Sequence, residues 1–439
     1  MQRRIRTSLA ISVSAVLLLG ACSTSGNAPG AGTDGWQIPS EAPEATIQVL
    51  TMLEAERLQK VVDAFNVEYP SVTVDIEEVP FSDLNSVLEA RMAAKDSSPD
   101  VFWADMPRMS ALASRGYAVD LTEQFGQFKD EFDPASWEGS SVDGKLFGVP
   151  IANSTQLLFY NKDLLDQAGL EYPSAEPESR ITWEDLKADA LKAKEAGSKY
   201  GFAFGQVGRY YQVQPLPMSL GGSAGGTGEG NLTPDITGDA WLKSMEFYQS
   251  LFADGASPKD LLADQTEPEF KSGNIAYFVQ GPWLLPAMES ADFNWGVALH
   301  PSFADGDPVT PTGSWAVSMS PFSDEKDAAA LFLRWLAVDG GGGYTKNMAD
   351  PELPATPAAK VDYFKRSIFE SEEGQRAASI IDYETSNTAA NRLATVGYVE
   401  FEEVLGRAFS DISKGTDPAK ALETAQTELE TAWAPYNKK

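Results

Sequence analysis

Phe-Lys-Ser-Gly-Asn-Ile-Ala-Tyr-Phe-Val-Gln-Gly-Pro-Trp-Leu-Leu-Pro-Ala-Met, at residues 270–288, is the stretch from which the organisation of this chain can be inferred. Its apolar run at 275–279 is short, β-branched and aromatic, which predicts a buried strand. Gly281 and Pro282 then predict a turn that presents Trp283 beyond the strand. Ligands of open α/β sheets bind at strand ends, and aromatic faces suit the apolar faces of sugar rings. Trp283 is therefore either a ligand-stacking residue or a core tryptophan near a strand end.

From residue 45 onward, strand-like and helix-like segments alternate along the chain. Residues 46–53 read as a strand, apolar residues at helical spacing follow at 58–65, and alternating apolar residues at 72–76 predict a second strand. A third predicted strand occupies residues 100–106. This alternation predicts an α/β fold with a mostly parallel sheet. Because about 400 residues exceed what one core usually supports, we expect two lobes.

The first residues have the pattern of a bacterial lipoprotein export signal. Arginines precede an apolar run at 10–19, and Leu19-Gly20-Ala21-Cys22 matches the lipobox. Cys22 is the single cysteine of the 439 residues, so disulfides within the chain are excluded. We predict a signal peptide at 1–21, and a lipidated Cys22 with a flexible tether at 22–44 that is rich in Ser, Gly, Pro and Thr. The lipid would be the only membrane anchor, since no other stretch approaches the ~20 apolar residues of a membrane span.

The formal charge of −30 limits the possible partners. Nucleic acids and anionic membranes require basic patches, so neither is an expected partner, and a large polyanion is not an expected ligand. With one histidine, His300, and one lipidated cysteine, the chain has no zinc-binding pattern. It also has no identifiable pair of carboxylates at glycosidase spacing. We therefore predict no metal, no cofactor and no enzymatic activity.

One motif favours an alternative class of protein. Gly221-Gly222-Ser223-Ala224-Gly225 has the formal pattern of the nucleophile elbow of α/β-hydrolases. That motif needs a strand before the serine and a helix after it, whereas glycines follow here. His300 would also have to complete the triad, because it is the single histidine. A secreted hydrolase is therefore the less favoured function.

Several stretches, taken in order, resemble the carbohydrate-binding lipoproteins of ABC importers, which form extracellular solute-binding protein family 1. The pattern Phe-x-x-Gly at 270–273, followed by an apolar strand and the Gly-Pro-Trp at 281–283, resembles one segment of that family. Tyr-Asn-Lys-Asp at 160–163 resembles the first crossover between lobes, residues 293–301 resemble the second, and Leu-Pro-Ala at 353–355 matches a turn of the family.

The resemblance implies an α/β fold of the type II periplasmic-binding-protein kind. Two lobes are joined by three crossovers, and the ligand cleft lies between them. We expect lobe 1 to comprise residues 45–151 and 301–340, and lobe 2 to comprise residues 152–300 and 341–439.

The resemblance also implies a set of ligand-binding residues. Stacking side chains are expected to lie near the predicted strand ends, and polar side chains are expected to bond sugar hydroxyls. The stacking candidates are Trp283, Tyr211, Trp103 and Trp315, the polar candidates are Asp105, Asn153 and Arg392, and Tyr210 is an alternative ligand residue. The chain has Thr312-Gly313-Ser314-Trp315 where most relatives have a Gly-Gly pair. We therefore expect its pocket to differ in detail from that of the family.

The function that the resemblance implies is capture of a di- or oligosaccharide by hinge closure, and delivery to the transmembrane subunits of an ABC permease. The protein is expected to be a monomer on the extracytoplasmic face of the bacterial cell membrane. Two alternatives share the fold. The phenols of Tyr210 and Tyr211 suit a ferric-ion binder, and Arg209 and Arg392 would suit a glycerol-phosphate type of ligand.

Overall fold

The computed structural model describes residues 35–81, 83–348 and 352–438. The predicted signal peptide, Cys22 and the first part of the predicted tether lie outside the described residues. Within the described residues, no helix is both long enough and apolar enough to cross a membrane.

The regular elements alternate along the chain as predicted. The strands are β1 (Ala45–Thr51), β2 (Val72–Glu78), β3 (Val101–Asp105), β4 (Ser141–Val142), β5 (Lys145–Leu146), β6 (Val149–Pro150), β7 (Leu157–Asn161), β8 (Tyr200–Phe204), β9 (Gly226–Thr227), β10 (Thr233–Pro234), β11 (Ile275–Gln280), β12 (Trp295–Ala298), β13 (Thr310–Thr312), β14 (Trp315–Met319) and β15 (Ala389–Asn391).

The helices include long amphipathic ones and short connecting ones. They are α1 (Ala55–Glu68), α2 (Leu84–Ala94), α3 (Met109–Ser114), α4 (Thr122–Phe125), α5 (Pro134–Gly139), α6 (Lys162–Ala168), α7 (Trp183–Glu195), α8 (Tyr210–Val213), α9 (Pro215–Ser219), α10 (Asp239–Ala253), α11 (Ala263–Lys271), α12 (Leu285–Met288), α13 (Lys326–Ala337), α14 (Gly343–Asn347), α15 (Pro357–Tyr363), α16 (Glu372–Asn387), α17 (Tyr398–Ser413) and α18 (Pro418–Trp433). Short 3-10 turns lie at Met106–Arg108, Gly126–Glu131, Pro177–Ser179, Glu229–Asn231, Pro282–Leu284, Asp339–Gly341, Ser367–Phe369 and Tyr436–Lys438.

Helix starts follow the capping chemistry of the sequence. The side chain of Thr182 accepts a hydrogen bond from the backbone N–H of Asp185 at 3.0 Å, and Asp417 accepts one from Lys420 at 3.0 Å. These bonds satisfy N–H groups that have no partner within the first turn of a helix. The local sequence at Thr182 and Asp417 therefore accounts for the starts of α7 and α18.

The sheet of lobe 1 has the strand order β2-β1-β3-β14-β6. Strand β1 is parallel to both β2 and β3, as the α/β alternation predicted, whereas β14 is antiparallel to β3 and to β6. Strand β14 enters this sheet after the chain has passed through lobe 2, so it brings Trp315 next to Asp105 in register. The carboxyl end of β3 and the start of β14 therefore meet at one edge.

The sheet of lobe 2 has the order β12-β7-β11-β8. Strand β11 contains the predicted strand at 275–279, and all six of its residues are buried. Its side chains pack into two apolar clusters, with Ala276 and Val279 in one and Ile275 and Phe278 in the other. Burial of both faces explains why this strand reads as a continuous apolar run rather than an alternating one.

The apolar cores place some residues differently from the predicted boundaries. Trp36 is 7% exposed and packs in the core of lobe 1, so the predicted flexible tether is packed from about this residue onward. Tyr344 and Met348, which were assigned to lobe 2, also pack in the core of lobe 1. Their segment includes α14, which contacts α1 and α13. Burial in the core stabilises the large apolar side chains at these positions. The Ser, Pro and Gly content of the surrounding sequence gives no indication of that burial.

The chain passes between the lobes at three places. It leaves the core of lobe 1 after Ala152, returns before Ala316, and passes again near 353–355, where Leu353 packs in lobe 2 and Ala355 in lobe 1. The bridge between Ala152 and Pro354 joins the first passage to the third. The parallel pair of β13 and β15 joins the second passage to the segment at Ala389–Asn391. These passages form the floor of the space between the lobes.

Candidate functional site

A cavity of about 250 Å³ lies between the lobes, above these passages. Both lobes contribute aromatic and charged side chains to its wall. Its lining residues are Met52, Phe81, Asp105, Ser154, Gln206, Arg209, Tyr211, Trp283, Gly313, Ser314, Trp315, Glu352 and Arg392.

Trp283 reaches the cavity because a glycine precedes its turn. It lies in the 3-10 turn Pro282–Leu284 directly after β11, and its indole folds back over Gly281. A Cβ atom on Gly281 would lie 2.0 Å from the indole Cζ3 of Trp283. No other residue type allows this approach, so the Gly-Pro-Trp order fixes the position of the ring.

Tyr211 lies beside Trp283 and belongs to the same lobe. The two ring centroids are 6.4 Å apart and their planes are inclined by 36°. The Tyr211 hydroxyl donates to Oγ of Ser154 at 2.8 Å, which fixes the ring against the first passage between the lobes. Burial raises the pKa of Tyr211, so the ring stays a neutral phenol. Together Trp283 and Tyr211 give the cavity an aromatic wall on the side of lobe 2.

Lobe 1 supplies a second aromatic wall. Trp315 begins β14 and meets Phe81 edge to face, with ring centroids 6.0 Å apart. Phe81 is 43% exposed, which is unusual for a phenylalanine. The guanidinium of Arg209, from lobe 2, lies 4.7 Å from the centre of its ring. Phe81 and Arg209 therefore meet across the mouth of the cavity.

A buried ion pair that lines the cavity joins the two lobes. Asp105 ends β3 in lobe 1, and Arg392 follows β15. Nη1 of Arg392 donates to Oδ2 of Asp105 at 2.9 Å, and Nη2 donates to Oδ1 and to the carbonyl oxygen of Gly313. Burial opposes the charge of Arg392, but the carboxylate of Asp105 outweighs that effect and raises the pKa of Arg392. The guanidinium also lies 5.1 Å from the ring centre of Tyr211.

A second group of charges lies next to this pair. Glu402 of α17 accepts from Nη2 of Arg209 at 3.2 Å and from Nη2 of Arg108 at 2.5 Å. Burial would raise the pKa of Glu402, but the charges of the arginines around it lower the pKa overall. Nη2 of Arg209 is also 3.9 Å from Oδ2 of Asp105. Arg108 belongs to lobe 1 and α17 to lobe 2, so this group too spans the cleft.

The structure brings five of the predicted site residues to the cavity and places three elsewhere. Those that line it are Trp283, Tyr211, Trp315, Asp105 and Arg392. Trp103, Tyr210 and Asn153 are buried away from its wall.

Each of these three residues has a structural reason for its position. Trp103 lies two residues before the end of β3 and is 1% exposed, because Tyr344 of α14 covers it with ring centroids 6.3 Å apart. Tyr210 precedes Tyr211 on α8, where successive side chains point about 100° apart, so only one of them can face the cleft. The hydroxyl of Tyr210 donates to the carbonyl oxygen of Ala224.

Asn153 organises the first passage between the lobes. Its Oδ1 accepts from the hydroxyl of Thr312 at 2.7 Å and from the backbone N–H groups of Ser154 at 2.8 Å and Gly313 at 3.4 Å. An amide oxygen that accepts three bonds from the protein has little capacity left for a ligand. Asn153 therefore shapes the floor of the cavity rather than its wall.

Several lining residues were not predicted. Met52, Phe81 and Glu352 lie in connections after strands or between helices, where no periodic pattern marks which side chain turns inward. Gln206 also lines the cavity, and its Oε1 accepts from Nη1 of Arg209 at 3.2 Å. The only sequence feature that could have indicated Gln206 is its position as a polar residue shortly after the end of a strand.

Among residues 35–81, 83–348 and 352–438, no group of three or more His, Cys, Asp or Glu side chains could hold a metal ion. The burial of Tyr210 also separates the adjacent phenols that would serve a ferric ion.

Comparison with known proteins identifies the family. Residues 52–342, about two thirds of the chain, match the family described as bacterial extracellular solute-binding protein. The chain belongs to this family. The predicted family is therefore confirmed.

Two curated relatives from Bacillus subtilis strain 168 are similar to the chain. A maltodextrin-binding protein is 25% identical over 420 residues, which cover 93% of this chain and 92% of the relative. A galactooligosaccharide-binding protein is 26% identical over 317 residues, which cover 70% of this chain and 71% of the relative.

A solved structure resembles the whole fold. The ABC substrate-binding protein Lmo0181 of Listeria monocytogenes, in complex with cycloalternan, superposes with a TM-score of 0.78 at 23% identity. The superposition covers 89% of this chain and 100% of that protein. The predicted two-lobed α/β fold of the type II periplasmic-binding-protein kind is confirmed.

Proposed function

We propose that this solute-binding protein captures a di- or oligosaccharide between its lobes and delivers it to an ABC permease. The observation that carries the proposal is the pair of aromatic walls, with Trp283 and Tyr211 on one lobe and Trp315 and Phe81 on the other. Pyranose rings have apolar faces that stack on aromatic rings and hydroxyls that bond to polar groups at the ring edge. The wall between the aromatic residues holds the Asp105–Arg392 pair, which can serve those hydroxyls.

The size of the cavity supports a short ligand or one end of a longer one. A volume of about 250 Å³ lies just below the range of about 300–1,000 Å³ that is usual for small-molecule sites. The half-exposed ring of Phe81 continues the aromatic wall toward solvent. A longer saccharide would therefore keep one end enclosed and extend past Phe81.

Hinge closure would couple capture to delivery. The three passages at the floor are the segments on which the lobes would rotate, and the walls would meet around the sugar when they close. We propose that the closed form presents a joint surface of both lobes to the transmembrane subunits. We also propose that a lipid on Cys22 holds the monomeric protein at the extracytoplasmic face of the cell membrane.

We propose binding without catalysis. Both oxygens of the Asp105 carboxylate accept from Arg392, so this carboxylate is not poised to move a proton or to attack a substrate. Ser223, in the Gly-rich motif, bonds to Asp235 and Gly225, and neither bond involves His300. His300 is fully buried.

A phosphorylated ligand of the glycerol-phosphate type is the second candidate. The observation in its favour is that Arg209 and Arg392 both line the cavity. A ferric ion is a weaker candidate, because only Tyr211 of the two adjacent tyrosines reaches the wall.

Thermal unfolding with a panel of di- and oligosaccharides, sugar phosphates and Fe³⁺ tests these candidates. A ligand that binds only the native state stabilises the protein by mass action and raises the midpoint temperature of unfolding. At a free ligand concentration of a hundred times Kd, the free energy of unfolding rises by about 2.7 kcal/mol. We expect a shift with a saccharide and its loss in Trp283→Ala. Trp295→Ala is the matched control, since Trp295 is a half-buried tryptophan of the same lobe outside the cavity wall. A shift with iron or a sugar phosphate alone would contradict the saccharide proposal.

A further inference from the structure

Charged side chains from both lobes form a cluster next to the cavity, here named the cleft charge cluster. It consists of Arg108, Arg209, Arg392, Asp105 and Glu402. Three guanidinium groups stand against two carboxylates, so the cluster has an excess of one positive charge. This excess contrasts with the net charge of −30 of the whole chain.

The carboxyl group of Glu352, which also lines the cavity, does not cancel that excess. Burial raises the pKa of Glu352, and the hydroxyl of Tyr344 donates to its Oε2. Arg57 lies close enough to act in the opposite direction on the same pKa. An ionised Glu352 is balanced by Arg57, and a protonated Glu352 leaves the charge of Arg57, which lies outside the cavity wall. In neither state does Glu352 cancel the one excess positive charge of the cleft charge cluster.

The rest of the acidic surface has little influence on this site. At physiological ionic strength, charges more than about 8 Å apart in solvent are largely screened from each other. Groups that are partly buried are screened less. A ligand in the cavity therefore senses the cleft charge cluster far more than the distant surface carboxylates.

Arg209 is the member of the cluster with capacity left for a ligand. Its Nη1 donates to Gln206 and its Nη2 to Glu402, both at 3.2 Å. A guanidinium has five N–H donors, so these two bonds leave several donors for another acceptor. The side chain of Arg209 is 25% exposed and lines the cavity, whereas that of Arg392 is 4% exposed and bonds to Asp105 and Gly313.

We propose that the captured saccharide carries one carboxylate, as a uronic acid unit does, and that Arg209 is the specificity-determining residue that binds it. The inference rests on the proposed saccharide function. The planar fork of a guanidinium matches the two oxygens of a carboxylate, and the single negative charge neutralises the single excess positive charge. A phosphate monoester carries about −1.5 to −2 at neutral pH and would leave the site with an excess of negative charge.

Calorimetric titration of the purified protein with matched ligands tests the proposal. The probes are di- and trisaccharides that carry a single galacturonic or glucuronic acid unit, the same oligomers after reduction of that carboxyl to a primary alcohol, and hexose phosphates. We expect an acidic oligomer to bind roughly tenfold to a hundredfold more tightly than its reduced partner, as a charge-assisted hydrogen bond would give. The preference should shrink as salt is raised, because the attraction is electrostatic.

Two substitutions that each remove one positive charge distinguish direct contact with the ligand from the general electrostatic effect of the cluster. Arg209→Gln removes a donor that lines the cavity and should abolish the preference for the acidic oligomer. Arg108→Gln removes the same charge from the cluster but not from the cavity wall, and should keep most of the preference. The comparison of each oligomer with its reduced partner in the unsubstituted protein stands alone if a variant fails to fold.

Different results would overturn the carboxylate inference and the proposed saccharide function. Equal or tighter binding of the neutral oligomers, or an unchanged preference in Arg209→Gln, would overturn the carboxylate inference and leave the saccharide function intact. Tight binding of a hexose phosphate in place of the acidic oligomers would overturn it in favour of a phosphate. Binding of no saccharide, acidic or neutral, would overturn the proposed function itself.

Discussion

Two buried arginine–carboxylate pairs in this protein have the same chemistry and different surroundings. In lobe 2, Arg180 donates to both oxygens of Glu384, at 2.6 and 3.2 Å. In the cleft, Arg392 donates to both oxygens of Asp105. The side chains of both pairs are nearly inaccessible, at 4% and 0% exposed in lobe 2 and 4% and 6% in the cleft.

The pairs differ in what completes their hydrogen bonding. The carboxylate of Glu384 also accepts from the backbone N–H of His300 and from the hydroxyls of Thr310 and Thr388, so protein groups surround it. The carboxylate of Asp105 lines a cavity and joins two lobes. A carboxylate that protein groups surround on all sides holds one lobe together, whereas a carboxylate that lines a cavity can respond to a ligand. The same two residue types therefore indicate structure or function only once their neighbours are known.

Removal of the Glu384 carboxylate should have the largest effect on stability. Glu384→Ala leaves the charge of Arg180 buried without a partner, and we expect a loss of about 3–5 kcal/mol in the free energy of unfolding. Urea unfolding measures this loss. Asp382→Ala, at an exposed position of the same helix, is the control and should change stability by less than about 0.5 kcal/mol. A loss below 1 kcal/mol for Glu384→Ala would remove the distinction between the pairs.

The buried region around the Arg180–Glu384 pair should also make the free energy of unfolding depend on pH. Burial, together with the nearby charge of Arg180, lowers the pKa of His300 to about 3. A lowered pKa in the folded state means that the unfolded chain binds more protons, so the contribution is complete above pH 6.5 and is lost as the pH falls toward 3. Between pH 7 and pH 5 we expect a loss of about 2 kcal/mol from this residue.

The test compares the free energy of unfolding of the unsubstituted protein with that of His300→Phe. His300 is fully buried and meets Trp183 edge to face, so His300→Phe keeps a ring of similar shape. The free energy of unfolding of the two proteins, measured at pH 7 and pH 5, should diverge by the expected amount. Parallel pH profiles would show that His300 does not contribute to the acid sensitivity of the fold.

Asp105→Asn should affect binding more than stability. The amide still accepts one hydrogen bond from Arg392, Glu402 remains nearby, and the cavity admits water, so we expect a stability loss of about 1 kcal/mol. We also expect the affinity for a neutral saccharide to fall by roughly tenfold, because the polar wall loses a charged acceptor. Thermal unfolding with and without ligand measures both. A stability loss as large as that of Glu384→Ala would make the cleft pair structural.

Phe81→Ala should have the smallest effect. The ring is 43% exposed, so its removal should change stability by less than about 0.5 kcal/mol. The loss of one stacking surface at the mouth should weaken saccharide binding by roughly threefold to tenfold. The loss should be greater for longer oligomers, which reach Phe81, than for the shortest one that binds. An equal loss for all lengths would contradict an extended ligand.

The sequence predicted the elements better than the orientation of their side chains. Strand β11 and the turn at Pro282–Leu284 were predicted from local patterns, and the structure confirms them. The starts of α7 and α18 also follow from local capping residues. Trp103 was predicted to reach the cleft because it lies near a strand end. It is in the core because α14, which lies more than 200 residues further along the chain, covers that face of β3.

The sequence by itself determined the order of strands and helices, the two-lobed family fold and the indole that Gly281 and Pro282 place beyond β11. The order of the elements and the position of the indole depend on apolar periodicity and on the conformational limits of glycine and proline, which act over a few residues. The two-lobed fold was expected from the length of the chain and from the family resemblance. Only the tertiary structure decided that Asp105 pairs with Arg392, 287 residues away, and that Arg209 meets Phe81. A pair between lobes depends on where distant elements pack, and no local pattern records that position.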